Sequence, residues 1–263
     1  MAPFNKDRTD VIVRARDSGV STIITVGIDL NSSRQAIKLA ESYTEVVAAV
    51  GFHPHNVTGV DEVDMADLAW IADYPGVVAI GEVGLDFYRG YSPRDTQLQV
   101  LDWQLGLAVK LDLPLIIHCR QAEKDMIPLL RDWTSPHKRL KRLPRGVIHC
   151  FSGDTDTARQ YLGMGFFISF GAYIGYPTSI NMHNVIRSIP GDRLMVETDC
   201  PFLPPQSRRG KRNEPAYLPL TVELLAKIRQ VSPEIIARET TKNVRHLFRL
   251  PTIDTDLSSG TFH

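Results

Sequence analysis

The segment Val77-Val78-Ala79-Ile80-Gly81-Glu82 is an apolar run that ends on a carboxylate, and it indicates the fold of the whole chain. Three other apolar runs have the same form and end on His118, His149 and Asp199. Such runs are typical of buried strands in a parallel sheet. Polar side chains at the ends of several strands favour a (β/α) barrel over an open doubly wound sheet, because an open sheet concentrates its site at one switch point.

Strand-like and helix-like segments alternate along most of the chain, which indicates a parallel α/β sheet with crossover helices. Seven strands are predicted, at Ser21–Gly27, Val46–His53, Val77–Gly84, Leu115–Arg120, Gly146–Ser152, Phe166–Gly171 and Leu194–Asp199. Helices are predicted at Asp7–Ser18, from a cap at Asn31 or Ser32 to Tyr43, and at Pro93–Lys110, Glu123–Trp133, Thr155–Leu162, Leu218–Arg229 and Pro233–Phe248.

The first strand of the expected barrel is missing from this pattern. It should precede the helix that begins at Asp7, but only six residues stand before that position. We therefore expect a TIM-like (β/α) barrel over residues 1–250 that lacks or replaces its first strand. A polar tail is expected over residues 251–263.

Composition limits the class of protein. The 263 residues carry 30 basic and 30 acidic side chains, so no overall charge attracts nucleic acid or a membrane surface. No apolar run of about 18 residues is present, and the N-terminus lacks the apolar stretch of a signal peptide. Three cysteines without a disulfide-like spacing favour a reducing compartment. A cytoplasmic protein is expected, with the nucleus or an organelle matrix as alternatives.

Two imidazoles and two carboxylates at strand ends form a nitrogen and oxygen ligand set for a divalent cation. A single buried histidine is more often a hydrogen-bonded core residue, but His118 and His149 recur in the same position on separate strands. Asp199 is also placed to act as a general base. Strand alternation places Glu197 on the same inward face as Asp199, and directs Cys119 and Cys150 outward to the helices.

With these segments in view, the chain resembles the TatD family of metal-dependent deoxyribonucleases, a branch of the amidohydrolase-like barrels. The resemblance extends from about Asp7 to Leu250. The matching blocks are Gly51-Phe52-His53-Pro54-His55, Gly81-Glu82-Val83-Gly84-Leu85-Asp86, His118-Cys119-Arg120, His149-Cys150-Phe151-Ser152-Gly153, Glu197-Thr198-Asp199-Cys200-Pro201, Arg209-Gly210-Lys211-Arg212-Asn213-Glu214-Pro215 and Asn243.

The resemblance implies that Glu82, His118, His149 and Asp199 are metal ligands, with Glu82 able to bridge two cations and to act with Asp199 in catalysis. The family's other two ligands form a His-x-His on the first strand. This sequence has no histidine before His53, so that pair is absent. One or two cations are expected, and Mg, Mn and Zn all suit this ligand set.

Substrate contacts are expected around the metal. The resemblance places His53 and His55 in the pocket wall, although together they also form a His-x-His that could replace the missing ligands. Arg120 can reach a phosphate group. The loop over the site carries Arg209, Lys211 and Arg212, which can hold backbone phosphates without reading sequence. The aromatic side chains Tyr88, Tyr91 and Phe202 are candidates for stacking on terminal bases.

These features predict a metal-dependent hydrolase, and most specifically a 3'–5' exonuclease-like deoxyribonuclease that cleaves phosphodiester bonds with an activated water. The expected partner is DNA, as single strands or ends, and the expected state is a monomer without membrane contact. Two alternatives stay open. One is an amidohydrolase acting on a small amide or ester. The other is a catalytically impaired binding or regulatory protein, because the His-x-His ligands are absent.

Overall fold

The structure is a computed structural model that describes residues 2–135 and 145–251. In these residues seven parallel strands form one sheet, and each strand pairs with the next along the chain. The sheet curls into a half-barrel, so the predicted α/β, TIM-like fold is confirmed. The strands are β1 Ile23–Val26, β2 Val46–Val50, β3 Val77–Asp86, β4 Leu115–Arg120, β5 Gly146–Ile148, β6 Phe166–Phe170 and β7 Leu194–Val196.

Nine helices accompany the strands in the described part of the chain, and all the predicted helices are among them. They are α1 Arg8–Asp17, α2 Leu30–Ser42, α3 Glu62–Ala72, α4 Arg94–Leu111, α5 Glu123–Trp133, α6 Thr155–Gly163, α7 Met182–Ser188, α8 Leu218–Arg229 and α9 Pro233–Phe248. The cap of α2 is Asp29 instead of Asn31 or Ser32, because the Asp29 carboxylate accepts the backbone N–H of Ser32. The predicted tail from residue 252 onward and the basic run 137–142 lie outside the described residues.

Helices α3 and α7 are not predicted from the sequence. Helix α3 buries Leu68, Ile71 and Ala72. It also carries Val63 and Trp70, which are 71% and 80% exposed. These exposed apolar side chains obscure the apolar stripe by which a surface helix is recognised. Helix α7 has only seven residues, too few to show a clear helical period.

Strand alternation divides the core into two clusters, one on each face of the sheet. The larger cluster lies between the sheet and its helices. The smaller one lies on the concave face and contains Ala79, Ile116, Val147 and Met195, which Leu247 and Phe248 at the end of α9 cover. The residues two positions after Ile116, Val147 and Met195 share the concave face with them. This face is therefore the one that leads to the predicted site.

Strand β3 approaches β4 so closely that position 84 accepts only glycine. Gly84 has φ +146°, and a Cβ there would lie 1.9 Å from the carbonyl oxygen of His118. The pairing of β3 with β4 also shifts register between Ile80 and Val83. An irregularity of this kind redirects side chains at a strand end. The two strands that carry Glu82 and His118 are thus held in direct contact.

The two edge strands of the sheet are β1 and β7. Ion pairs join α1, which precedes β1, to the segment that follows β7. Arg14 pairs with Glu214 at 2.7 Å, and Arg212 pairs with Asp7 at 2.6 Å. The hydrogen bonds from Arg212 and Arg14 hold the pKa of Asp7 at about 2, so its charge persists in acid. The first helix and the last part of the barrel wall are therefore linked through charge.

None of the helices in the described part of the chain is long and apolar enough to cross a lipid bilayer. The cysteines Cys119, Cys150 and Cys200 are all free thiols.

Helix α9 is fixed to the base of β7 by one buried amide. Asn243 donates hydrogen bonds of 2.8 Å to the carbonyl oxygens of Gly191 and Leu194. We expect Asn243→Ala to lower the free energy of unfolding by about 1–3 kcal/mol, because two buried carbonyls would lose their donor. Chemical denaturation measures this change. Lys242→Ala, at the exposed neighbouring position, is the matched control, and an equal effect of both substitutions would contradict the argument.

Candidate metal centre

The concave face places three site residues at the ends of three strands. His118 follows Ile116 by two positions, His149 follows Val147, and Glu197 follows Met195, so alternation directs all three into the mouth of the half-barrel. Each is largely shielded, with 15–18% of its side chain exposed. The short strands β5 and β7 end before His149 and Glu197. These two residues therefore project from the loops that follow the strands.

Glu82 lies at the middle of the cluster. Its Oε1 atom is 2.8 Å from Nδ1 of His118 and 3.8 Å from Nε2 of His149. Nε2 of His149 is 3.7 Å from Oδ1 of Asp199. Ligand atoms around one cation with bonds of about 2.0–2.2 Å lie about 3–3.5 Å apart. The two distances from Glu82 and the one from Asp199 to His149 thus come close to the separation that a shared cation requires.

A buried carboxylate holds His118 from behind. Asp86 is fully buried, and its Oδ2 atom is 3.1 Å from Nε2 of His118. The other oxygen, Oδ1, accepts the backbone N–H groups of Tyr88 and Arg89 at 2.9 Å each. These bonds outweigh burial and hold the pKa of Asp86 far below its usual value. Asp86 is therefore a fixed anion that turns Nδ1 of His118 toward Glu82.

His149 has the same arrangement with a different carboxylate. Its Nδ1 atom is 2.9 Å from Oε2 of Glu197, and its Nε2 atom faces Glu82 and Asp199. Histidines that bind metals commonly give their second nitrogen to a carboxylate, which fixes the tautomer and the ring orientation. Oε1 of Glu197 is buried and has no hydrogen-bond partner among the described residues. The inward position expected for Glu197 is confirmed.

The charges of the cluster shift several pKa values. Burial alone would raise the pKa of Glu82, but the charge of His149 and the hydrogen bonds from His118 and His53 hold it well below its usual value. Burial opposes the charged form of His118, yet hydrogen bonds to Asp86 and Glu82 raise its pKa to about 9. The pKa of His149 is also raised, because its three neighbouring carboxylates outweigh burial. Without a cation, both imidazoles carry the positive charge.

Asp199 behaves differently from the other carboxylates. Burial, with repulsion from Glu82 and Glu197, outweighs the attraction of the histidines and raises its pKa to about 7. Its backbone is in the left-handed region, at φ +53°, which is uncommon for a residue other than glycine. Nδ2 of Asn213 donates to the carbonyl oxygens of Thr198 and Phe202 on either side, at 2.6 and 2.7 Å. The loop that carries Asp199 is therefore well fixed.

His53 and His55 contact different carboxylates. The backbone N–H of His55 donates to Nδ1 of His53 at 3.1 Å, which leaves Nε2 of His53 for other contacts. That nitrogen is 3.5 Å from Oε1 of Glu82, and ligand atoms of His53, Glu82 and His118 all lie within 4.8 Å of one another. Nε2 of His55 instead contacts Asp86 at 2.9 Å. His53 thus lies beside the centre, whereas His55 contacts the carboxylate behind His118.

The predicted phosphate-binding residues differ in how far they are already engaged. The Arg120 guanidinium lies 4.0 Å from the ring centre of the half-exposed Tyr88, at the mouth of the site. Arg209 lies 4.6 Å from the ring centre of Tyr176. Lys211 is exposed.

Arg212 differs from these three. It is committed to the carboxylate of Asp7 and the carbonyl of Pro3, at 2.6 Å each. It is therefore a structural anchor of the loop.

One prediction from strand alternation is wrong. Cys119 faces the helices as expected, and its sulfur accepts a hydrogen bond from Tyr161 of α6. Cys150, however, lies beside the centre, with its sulfur within 4.8 Å of ligand atoms of His149 and Glu197. Alternation fails because β5 ends at Ile148 and Cys150 is in the left-handed region, at φ +47°. Burial and the nearby carboxylates raise the pKa of its thiol well above the usual value.

Asp86 is the functional residue that sequence reasoning misses. It lies at the end of the segment Gly81-Glu82-Val83-Gly84-Leu85-Asp86, and the sequence alone gives it no role. The signal is present, because β3 runs on to Asp86 and the two carboxylates stand four residues apart in one strand.

The donor set fits a divalent cation. Two imidazole nitrogens face one carboxylate, a second carboxylate lies beside them, and further carboxylates fix both rings from behind. A curled parallel sheet with such a centre at the carboxyl ends of its strands is the arrangement of the metal-dependent hydrolases built on (β/α) barrels.

Comparison with known proteins identifies the family. The sequence model described as "TatD related DNase" matches residues 1–249, and the chain belongs to this family of metal-dependent hydrolases. It is 39% identical over 252 residues to the uncharacterized metal-dependent hydrolase YabD of Bacillus subtilis, with 94% of each chain covered. It is 38% identical over 253 residues to the 3'-5' ssDNA/RNA exonuclease TatD of a Rahnella species, again with 94% of each covered.

Solved structures agree. The crystal structure of YjjV, a TatD homologue of Escherichia coli, superposes with a TM-score of 0.88 at 30% identity and 95% coverage of both chains. A TatD-family hydrolase from Entamoeba histolytica gives a TM-score of 0.80 at 27% identity, over 92% of this chain and 89% of the other. The family predicted from the sequence is confirmed.

The carboxylates behind the rings should determine metal affinity. We expect Asp86→Asn and Glu197→Gln each to weaken binding of a divalent cation by about 10- to 100-fold. Each substitution removes the carboxylate that fixes the orientation of one histidine ring. Competition with a chelating dye measures the affinity. Asp95→Asn, at a 96% exposed side chain, is the matched control. Unchanged affinity in both variants would contradict the arrangement.

Metal affinity should also rise with pH. A cation must displace the proton of His118, whose pKa is about 9, and that of His149. From about pH 6 to about pH 8 we expect affinity to tighten about tenfold per pH unit for each proton released. The same dye competition, repeated across this range, measures the slope. A flat profile would show that the rings are already neutral.

Proposed function

We propose that the protein is a 3'–5' exonuclease that removes nucleotides from single-stranded DNA or RNA ends. One observation carries the proposal: both imidazoles present one nitrogen to Glu82 while a buried carboxylate holds the other. This arrangement suits catalytic metal binding. The relatives named as 3'-5' ssDNA/RNA exonucleases, one of them 38% identical over most of the chain, support this substrate class.

Glu82, His118 and His149 would hold one divalent cation, with Asp199 beside them. Such a cation supplies Lewis acidity that lowers the pKa of water and offsets negative charge on a phosphoryl oxygen. The sequence has no histidine before His53, so the family's His-x-His pair is not available to a second cation. We therefore propose one cation per chain.

Asp199 is the proposed general base. A base works best when its pKa lies near the operating pH, and the pKa of Asp199 is raised to about 7. The carboxylate lies at the mouth of the site, 3.7 Å from His149, where it can take a proton from the attacking water. Glu82, whose pKa is depressed, remains ionised and suits metal binding instead.

Arg120, Arg209 and Lys211 are the proposed phosphate contacts. All three are exposed, and two of them lie against aromatic rings that hold their guanidinium groups in place. Contacts of this kind recognise the backbone and not the base, which suits an exonuclease that acts on any sequence. The exposed Tyr91, whose ring packs edge-on against His55, offers a surface for the terminal base.

We propose that the protein acts as a monomer. The three free thiols favour a reducing compartment, such as the cytoplasm.

A single-stranded oligonucleotide labelled at its 5' end tests the reaction. In the presence of Mg²⁺, Mn²⁺ or Zn²⁺, we expect a ladder of products that shortens from the 3' end. Asp199→Asn should slow it by about 10²- to 10⁴-fold, because the proton acceptor is removed. Asp192→Asn, at a 74% exposed side chain, is the control. Binding of cation and oligonucleotide without any shortening would establish a binding protein instead.

The cationic rim separates a nuclease from an amidohydrolase. The double variant Arg209→Ala/Lys211→Ala should weaken oligonucleotide binding. It should also reduce the slope of log affinity against log salt concentration by about one unit for each phosphate that is no longer neutralised. Arg238→Ala, at another exposed position, is the matched control. Unchanged binding in the double variant would remove these residues from the site and leave the amidohydrolase alternative open.

A further inference from the structure

A second basic site lies at the opposite end of the sheet from the metal centre. Arg145 stands immediately before β5 and Arg193 immediately before β7, whereas His149 and Asp199 follow the same strands. Both arginines line a cavity of about 780 Å³, together with Arg131 of α5 and Arg159 of α6. Its other described lining residues are Thr134, Ser135, Gln160, Leu162, Gly163, Met164, Gly165 and His246.

Arg145 is unusual among these side chains. Its Nε and Nη1 atoms are shut off from solvent and have no hydrogen-bond partner in the part of the chain that the structure describes. Burial lowers the pKa of the guanidinium, as expected for a charge without a compensating partner. A buried charged donor that makes no hydrogen bond is costly and rare in folded proteins. The guanidinium of Arg145 is thus a charge without an acceptor from the described residues, and it stands beside a cavity that an anion can enter.

A purely structural role does not explain Arg145. The lower end of the sheet collects the C-termini of helices, and basic residues there can stabilise the helix dipole. Arg131, in the last turn of α5, fits that role. Arg145 lies outside any helix, and the two nitrogens concerned contact no carbonyl or carboxylate of the described chain. Its backbone N–H donates to the carbonyl of Gly165 and its carbonyl accepts from the N–H of Leu115, so the main chain of Arg145 is fixed beside the cavity.

The other arginines are available to a ligand. Arg159 pairs with Asp156 at 2.6 Å and Arg193 with Asp192 at 3.1 Å, but these pairs are largely exposed. Exposed pairs contribute little, and a stronger anion can displace them. No carboxylate is among the described residues that line the cavity. Among the described residues, the cavity therefore combines four guanidinium groups with hydroxyl and amide groups and has no lining acid.

We propose that this cavity binds the phosphate group of a small phosphorylated ligand, at a site separate from the metal centre. Planar guanidinium groups pair with phosphate oxygens through two parallel hydrogen bonds, which a spherical anion cannot match. A cavity of about 780 Å³ has the size of sites for small molecules and cofactors. The arginines converge on one cavity and do not form a track along the surface, which favours a compact ligand over a nucleic-acid strand.

Titration calorimetry with two probes, inorganic phosphate and deoxyadenosine 5'-monophosphate, tests the proposal on the metal-loaded protein. Glu82→Gln removes the competing anion site at the metal. We expect at least one probe to bind to both the unmodified chain and Glu82→Gln. Arg145→Gln should weaken that binding by about 10- to 100-fold, because a charged hydrogen-bond donor is removed. Tighter binding of the nucleotide than of phosphate would identify a nucleotide ligand, and equal binding a site for the phosphate group alone.

Two further variants guard against a folding artefact. Arg131→Gln/Arg159→Gln alters only exposed side chains and should also weaken binding, whereas Arg238→Gln should not. Binding that Glu82→Gln abolishes and the arginine variants leave intact would overturn the proposal, as would the absence of binding by either probe at millimolar concentration. Nuclease activity, assayed separately, does not enter this test.

Discussion

The centre depends on two carboxylates, the buried Asp86 and the largely shielded Glu197, which lie behind the two histidine rings. Asp86 holds His118, and Glu197 holds His149, so each ring can present only one nitrogen to Glu82. Without these partners the rings would be free to rotate, and four ligands from separate strands would have no common focus. Asp86 is itself fixed by backbone N–H groups from the turn after β3. The backbone after β3 therefore fixes Asp86, and Asp86 in turn fixes the ring of His118 through hydrogen bonds.

The fold is predictable because its signals are local. Each strand is an apolar run that can be read without its neighbours, and all seven are predicted. The ends of the strands are less certain: β5 stops at Ile148 and β7 at Val196, earlier than predicted and one residue before the inward residues His149 and Glu197. Helix α3 escapes prediction because Val63 and Trp70 face solvent, where a burial pattern predicts polar residues.

The site is only partly predictable, because a sequence shows residue types and not their partners. Glu82, His118, His149 and Asp199 stand at the ends of strands, and that position alone indicates a shared centre. The engagement of Arg212 with Asp7 depends on a contact between distant parts of the chain, which no local pattern shows. The prediction for Cys150 is wrong for a different reason: alternation holds only while a strand continues, and a left-handed residue ends it.

Around most of the half-barrel, the wall is held by main-chain hydrogen bonds between neighbouring strands, which are insensitive to the surrounding solution. Between the first helix and the segment after β7, the fastening is ionic, through Arg14, Glu214, Arg212 and Asp7. Asp7 keeps its charge down to about pH 2, so its ion pair with Arg212 persists in acid. Dissolved ions act differently, because they screen exposed charges. A high salt concentration should therefore weaken this contact between the first helix and the segment after β7.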